Sequence, residues 1–146
     1  MKREIYKNEG YKLMGAAFEV YNEHGAGLAE EIYQESLEIE LGLRGIAYEP
    51  RSPLWCYYKG RRLRKRYVPD LIVFGSLVVE LKSVSELLPE HEAQLMNYLR
   101  VARQPVGYLL NFGHKGDLEW ERRIISEYIT PAEPRRTQTN GPGSEP

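Results

Sequence analysis

Tyr67-Val-Pro-Asp70-Leu-Ile-Val-Phe-Gly75-Ser-Leu77-Val-Val-Glu80-Leu-Lys82 contains two short apolar runs separated by Gly75-Ser76. This is the pattern of two paired strands, Val68 to Phe74 and Leu77 to Leu81, buried on both faces in the centre of a sheet. Three charges interrupt it. An ionised side chain loses hydration when buried, so Asp70, Glu80 and Lys82 need partners or a bound cation. Glu80 and Lys82 are two apart and project from one face of their strand, with Leu77, Val79 and Leu81 on the other. A plain two-residue Gly75-Ser76 loop would place Asp70 opposite Leu81, on the wrong side of the sheet. A three-residue loop or a bulge brings Asp70 to the face of Glu80, and Gly75 suits either.

With that alignment, Asp70 and Glu80 form a hard oxygen site suited to Mg²⁺ or Mn²⁺, with the Leu81 carbonyl as a third ligand. Lys82 completes it, placed to orient a water or to stabilise charge growing on phosphorus. A plainer reading of the same residues makes Glu80 and Lys82 a structural ion pair and Asp70 the cap of a turn after Pro69. The three residues alone do not separate the two readings.

Immediately upstream, Leu54 to Tyr58 and Arg62 to Tyr67 read as strands around a Lys59-Gly60 turn. Residues 59–66 carry six positive charges, on Lys59, Arg61, Arg62, Arg64, Lys65 and Arg66, and no negative one. The chain's net charge is −1, so everything else sums to −7. A single-signed patch separated from Asp70 by three residues points to phosphates flanking the site, although edge hairpins also carry charge to discourage aggregation. Tyr57, Tyr58 and Tyr67 are interleaved with it, placed to stack on unpaired bases unless they pack in the core or at its rim.

Further out, helical periodicity predicts helices over Asn8 to Glu23 and Leu28 to Leu43, the second with Ala29, Ile32, Tyr33, Leu37 and Leu41 along one side. A third helix begins at Pro89-Glu90 and ends before Gln104-Pro105. Val106 to Phe112 reads as a strand, and so does Leu118 to Ile125, on a weaker pattern. The fold class expected is α/β, a central mixed β-sheet flanked by α-helices.

Two helix motifs give these residues a family context: Gly27-Leu-Ala-Glu30-Glu-Ile-Tyr33, and Gln94-Leu-Met-Asn-Tyr98. With Asp70, Glu80 and Lys82 they make the chain resemble the GxxExxY protein family, a branch of the PD-(D/E)XK nuclease superfamily with a restriction-endonuclease-like core. The resemblance runs from about Tyr11 to Ile125 and includes RecB-like features. It implies that Asp70 and Glu80 are metal-binding carboxylates, that Lys82 is the catalytic lysine, and that Glu30 is a further acid reaching the metal directly or through water. Gln94 and Tyr98 would border the site. The implied activity is metal-dependent hydrolysis of phosphodiester bonds in nucleic acid, DNA more than RNA.

Composition agrees with a domain of this kind. The 146 residues are 42% hydrophobic and 28% charged, the size and balance of one globular domain, expected over 1–130. No stretch is apolar enough to span a bilayer. The N-terminus lacks the apolar region of a secretory signal, which makes cytoplasmic the expected location. The one cysteine, Cys56, lies among aromatic residues and reads as packing. Residues 131–146 are rich in proline and lack large apolar side chains, the composition of a flexible tail. Two rival readings remain at this stage: a nucleic-acid-binding module of the same fold without turnover, and a protein-interaction module using the tyrosine-rich surface, with a homodimer left open.

Overall fold

A computed structural model describes residues 5–129, so the expected tail lies outside the described residues. Two helices come first, α1 (Lys7–His24) and α2 (Glu30–Leu43). Leu13, Met14, Ala16, Ala17 and Val20 form the buried stripe of α1. In α2 the buried set is Tyr33, Gln34, Leu37 and Leu41. Ile32, expected on that stripe, is 44% exposed, while Gln34 is 6% exposed. The helix turns a polar side chain inward because its amide finds acceptors there, as described below.

Seven strands follow: β1 (Tyr48–Pro50), β2 (Leu54–Tyr58), β3 (Arg61–Tyr67), β4 (Leu71–Val73), β5 (Leu77–Lys82), β6 (Val106–Asn111) and β7 (Glu119–Ile124), with α3 (Pro89–Val101) between β5 and β6. Five of them form a sheet in the order β1-β4-β5-β6-β7, and β2 and β3 make a separate hairpin. Strands β5 and β6 are parallel, joined through α3, and the other neighbours are antiparallel. The chain is thus a mixed α/β fold with a five-stranded central sheet flanked by helices, consistent with a restriction-endonuclease-like core.

Alternation along the strands sorts the core into two layers. Leu71, Val73, Leu77, Val79 and Leu81 face α1 and α2. Ile72, Val78 and Leu109 face Leu95 and Leu99 of α3 together with Leu54, Cys56 and Tyr67 of the hairpin. Cys56 is buried, as expected of a packing residue.

The β4–β5 connection decides where the charges fall. Val73 pairs with Leu77 and Leu71 with Val79, so the loop is Phe74-Gly75-Ser76, three residues long. Phe74 and Gly75 both have positive φ, 58° and 67°, and Ser76 N–H donates to the Val73 carbonyl at 3.1 Å. Continuing that register sets Asp70 opposite Glu80, on the α3 side of the sheet. The predicted strand from Val68 shortens to Leu71–Val73 because Pro69 has no N–H for a ladder. The edge strand β1 was not foreseen. It has three residues, includes Pro50, and exists by pairing with β4.

Candidate active site

A cavity of about 350 Å³ opens between β5, α3, the base of the hairpin and the start of α2. Asp70, Glu80, Leu81 and Lys82 line it from the sheet, Glu30 from α2, Gln94 and Tyr98 from α3, and Lys65 and Arg66 from the hairpin. Every candidate catalytic and metal residue read from the sequence therefore borders one space. Of the six candidate phosphate-binding residues, Lys65 and Arg66 reach the cavity. Lys59, Arg61, Arg62 and Arg64 lie farther along the hairpin.

The two sheet carboxylates are joined through the backbone. Asp70 Oδ2 accepts the Leu81 N–H at 2.7 Å, and Glu80 Oε1 accepts the Asp70 N–H at 3.3 Å. The first bond serves an amide near the end of β5 where the β4 ladder has stopped. Asp70 is itself held by its carbonyl, which accepts Gln34 Nε2 at 2.8 Å and Arg51 N–H at 3.2 Å. Gln34 also donates to Glu38 Oε2 at 3.0 Å.

Glu80 is the most perturbed acid. Burial pushes its pKa up to about 7, the Tyr67 hydrogen bond works against that, and the Asp70 charge adds to the rise. Tyr67 donates its hydroxyl to Glu80 Oε2 and stacks on Tyr98, with ring centroids 4.4 Å apart. Tyr67 is 3% exposed, so it does not serve as the base-stacking surface read from the sequence. It is the buried end of an otherwise outward-facing β3 and packs with Leu54, Cys56, Ile72 and Val78. Tyr57 has Arg103 over its ring at 4.3 Å, leaving Tyr58 as the exposed tyrosine of the three.

The Gly27-to-Tyr33 motif has a local mechanical basis. Tyr33 is fully buried, donates to the Gly25 carbonyl at 2.5 Å, accepts the Leu28 N–H at 3.1 Å and stacks on Phe112. The loop it fixes uses Gly25 and Gly27 at positive φ and ends at Glu30. Ser83 Oγ donates to the Leu28 carbonyl at 2.6 Å, tying this loop to the residue after Lys82. Burial, then the Asp70 charge, raises the Glu30 pKa, while Lys82 lowers it.

The segment that follows Lys82 depends on Asn111, which is fully buried. Its Oδ1 accepts the Val84 and Gly113 N–H groups at 3.0 Å each, and its Nδ2 donates to Glu119 Oε1, which also accepts the Leu87 N–H. The segment from Lys82 to α3 is thereby fixed at both ends.

The ion pair of the plainer reading is not formed. Among the described residues no salt bridge joins Glu80 to Lys82. The turn cap of that reading is not what Asp70 makes either: its Oδ2 accepts the N–H of Leu81 on the neighbouring strand.

Residues 7–123 match the family model of the PD-(D/E)XK nuclease superfamily. The chain belongs to that superfamily. Neither a curated protein nor a solved structure matches it. Membership makes nuclease chemistry on a nucleic-acid substrate the coarse expectation, and PD-(D/E)XK nucleases generally use divalent metal ions. Among the described residues no helix is long and apolar enough to cross a membrane.

The donor set of this PD-(D/E)XK chain fits such an ion in kind. Asp70 and Glu80 are hard oxygen donors pressed together, and burial has raised the Glu80 pKa, a penalty that a divalent cation would remove. Among the described residues no three acids, histidines or cysteines already stand as a closed ligand cluster. The arrangement is a carboxylate pair with Glu30 across the same space.

Sequence reading passed over Gln34 and His91 and missed the role of Tyr67 as the partner of Glu80. Gln34 signalled itself as a polar residue one place after Tyr33 on the apolar stripe, Tyr67 as a tyrosine ending a strand before Asp70, and His91 as a histidine in the first turn of α3, three residues before Gln94.

Proposed function

We propose that the chain is a metal-dependent nuclease of the GxxExxY branch that hydrolyses phosphodiester bonds in nucleic acid, DNA in preference to RNA. The observation that carries the reading is the direct apposition of Asp70 and Glu80 on a cavity that Lys82 also lines. Asp70, Glu80 and the Leu81 carbonyl hold Mg²⁺ or Mn²⁺, with Glu30 adding a ligand directly or through water. The bound ion supplies Lewis-acid polarisation of the phosphodiester and a water acidic enough to attack at neutral pH.

The protein's own groups do the rest. Lys82, two residues from Glu80 on the same strand face, places its ammonium against the charge that develops on phosphorus. Tyr67 holds one oxygen of Glu80 and so sets the direction of the other. Gln94 and Tyr98 border the substrate, and Lys65 and Arg66 bind the flanking phosphates, with Lys59, Arg61, Arg62 and Arg64 extending that contact along the hairpin. Arg62 and Arg66 stack over Trp55 at 4.2 and 3.8 Å, which orients two guanidiniums before any phosphate arrives.

The test is Lys82→Ala, assayed with Mg²⁺ and Mn²⁺ on labelled DNA and RNA. Cleavage should fall at least about a hundredfold while nucleic-acid binding persists. Cleavage by Lys82→Ala at the parent rate would overturn the role of the lysine. Salt-dependent binding by the parent without cleavage would favour the silent module instead.

A further inference from the structure

We infer that His91 is a substrate-binding residue of this site, its Nε2–H donating to a phosphate oxygen of the nucleic acid beside the scissile bond. This inference rests on the nuclease reading and adds a residue to it.

The position follows from the start of α3. His91 is the third residue of that helix, where the first backbone N–H groups lack helical partners. Its Nδ1 accepts the Leu88 N–H at 2.9 Å, and its own N–H donates to the Leu88 carbonyl at 2.9 Å. The first of these bonds is the one that a glutamate or glutamine side chain ordinarily makes at the same place. Histidine makes it with one ring nitrogen and keeps another. Because Nδ1 accepts from an amide, the ring proton resides on Nε2, so what the imidazole can offer is a donor.

The ring is half-buried and lines the cavity together with Gln94, Leu95 and Tyr98, its neighbours on the same helix face at three, four and seven residues. No described residue takes Nε2–H. The carboxylates of the cavity come from Asp70, Glu80 and Glu30, and its cations from Lys65, Arg66 and Lys82. A nucleic-acid strand brings phosphate oxygens, and a hydrogen bond from a fixed N–H to such an anion is stronger than one between neutral groups. His91 acts as a donor rather than a base, since one nitrogen is occupied and the other carries the proton.

Two near-isosteric substitutions separate the substrate contact from the cap. In His91→Asn the Oδ1 stands where Nδ1 stood, so the cap survives and the Nε2 donor is gone. In His91→Gln the amide can both cap and donate. The parent and both variants are compared by melting temperature, by anisotropy of labelled DNA in EDTA, and by KM and kcat with Mn²⁺.

The expected result is a His91→Asn protein that melts with the parent but binds DNA about tenfold more weakly, with the loss in KM more than kcat, one hydrogen bond to an anion being of that order. His91→Gln should recover most of that affinity. If His91→Asn binds as the parent does, His91 is only a helix cap and the inference is overturned. A parent that binds DNA yet never cleaves it defeats the nuclease reading alone, because the binding comparison still tests His91. A parent that binds no nucleic acid at low salt defeats both.

Discussion

Tyr67 donates its hydroxyl to Oε2 of Glu80 while its ring is stacked on Tyr98 of α3. The pair connects the hairpin, the central sheet and the third helix at one half-buried carboxylate, and the Tyr67 hydrogen bond works against the desolvation that raises the Glu80 pKa. Tyr67→Phe keeps the stack and removes the donor. The Glu80 pKa of the metal-free variant should then rise above its value of about 7 in the parent, as read by NMR of the side-chain carboxyl. Stability should fall by about 1–2 kcal/mol in urea denaturation at neutral pH. An unmoved Glu80 titration would show that the hydroxyl does not hold the carboxylate.

The same acid gives the metal-free protein a pH dependence. Its pKa rises from 4.5 to about 7 on folding, so between those values the folded chain binds the proton that the unfolded chain has released. The stabilisation is full below about pH 4.5 and is lost as pH rises through 7, a loss on the order of 3 kcal/mol. The raised pKa of Glu30 acts in the same direction. Melting temperature in EDTA should therefore fall between pH 5 and pH 8, and Glu80→Gln should flatten most of the slope. Mg²⁺ or Mn²⁺ should raise the melting temperature more at pH 8 than at pH 5.5, since the ion competes with the proton. A parent slope retained in Glu80→Gln would remove Glu80 from the account.

Much of this site was legible from strand parity. The requirement that Asp70 share a face with Glu80 demanded an odd connection at Gly75, and the loop is three residues long. The helices, the buried strands and the hairpin followed from periodicity and from Gly and Pro positions. The residues that brace the site were less visible because their roles depend on tertiary partners. Gln34 is an ordinary helix residue until the Asp70 carbonyl lies against it. Strand β1 has no pattern of its own and forms only because β4 offers an edge. His91 is hidden by its adequacy as a helix cap.

Gln34→Leu should expose that dependence. It removes the donor to the Asp70 carbonyl and leaves the Arg51 N–H as the remaining partner at 3.2 Å. We expect a loss of about 1–2 kcal/mol, together with weaker Mn²⁺ binding by calorimetry because Asp70 is less firmly placed. Parent-like affinity for Mn²⁺ would confine Gln34 to a packing role.

Gly113 tests the packing of the segment after Lys82. A Cβ there would stand 2.4 Å from the backbone N and O of Val84, and no side-chain rotation relieves a clash with backbone. Gly113→Ala should cost about 2 kcal/mol or more, seen in denaturation, and should disturb the segment after Lys82 that Asn111 holds. Unchanged stability would mean that this segment is not packed as described.

The hairpin should act through phosphates in proportion to its nearness to the cavity. Lys65→Ala should weaken DNA binding across sequences and reduce the slope of log affinity against log salt by about 1, with a loss of cleavage that Lys59→Ala, at the far turn, does not match. Equal effects at the two positions would argue for diffuse attraction rather than a path leading to the site.

The central claim is that Asp70 and Glu80 hold the ion that enables cleavage. It is tested most directly by titrating Mn²⁺ into the parent and Glu80→Ala in the presence of labelled single- and double-stranded DNA and RNA. The account predicts cleavage by the parent that depends on the ion and is abolished by EDTA, and loss of at least about a hundredfold in Glu80→Ala. Cleavage by Glu80→Ala at the parent rate, or no ion-dependent cleavage of any of these substrates by the parent, would contradict it.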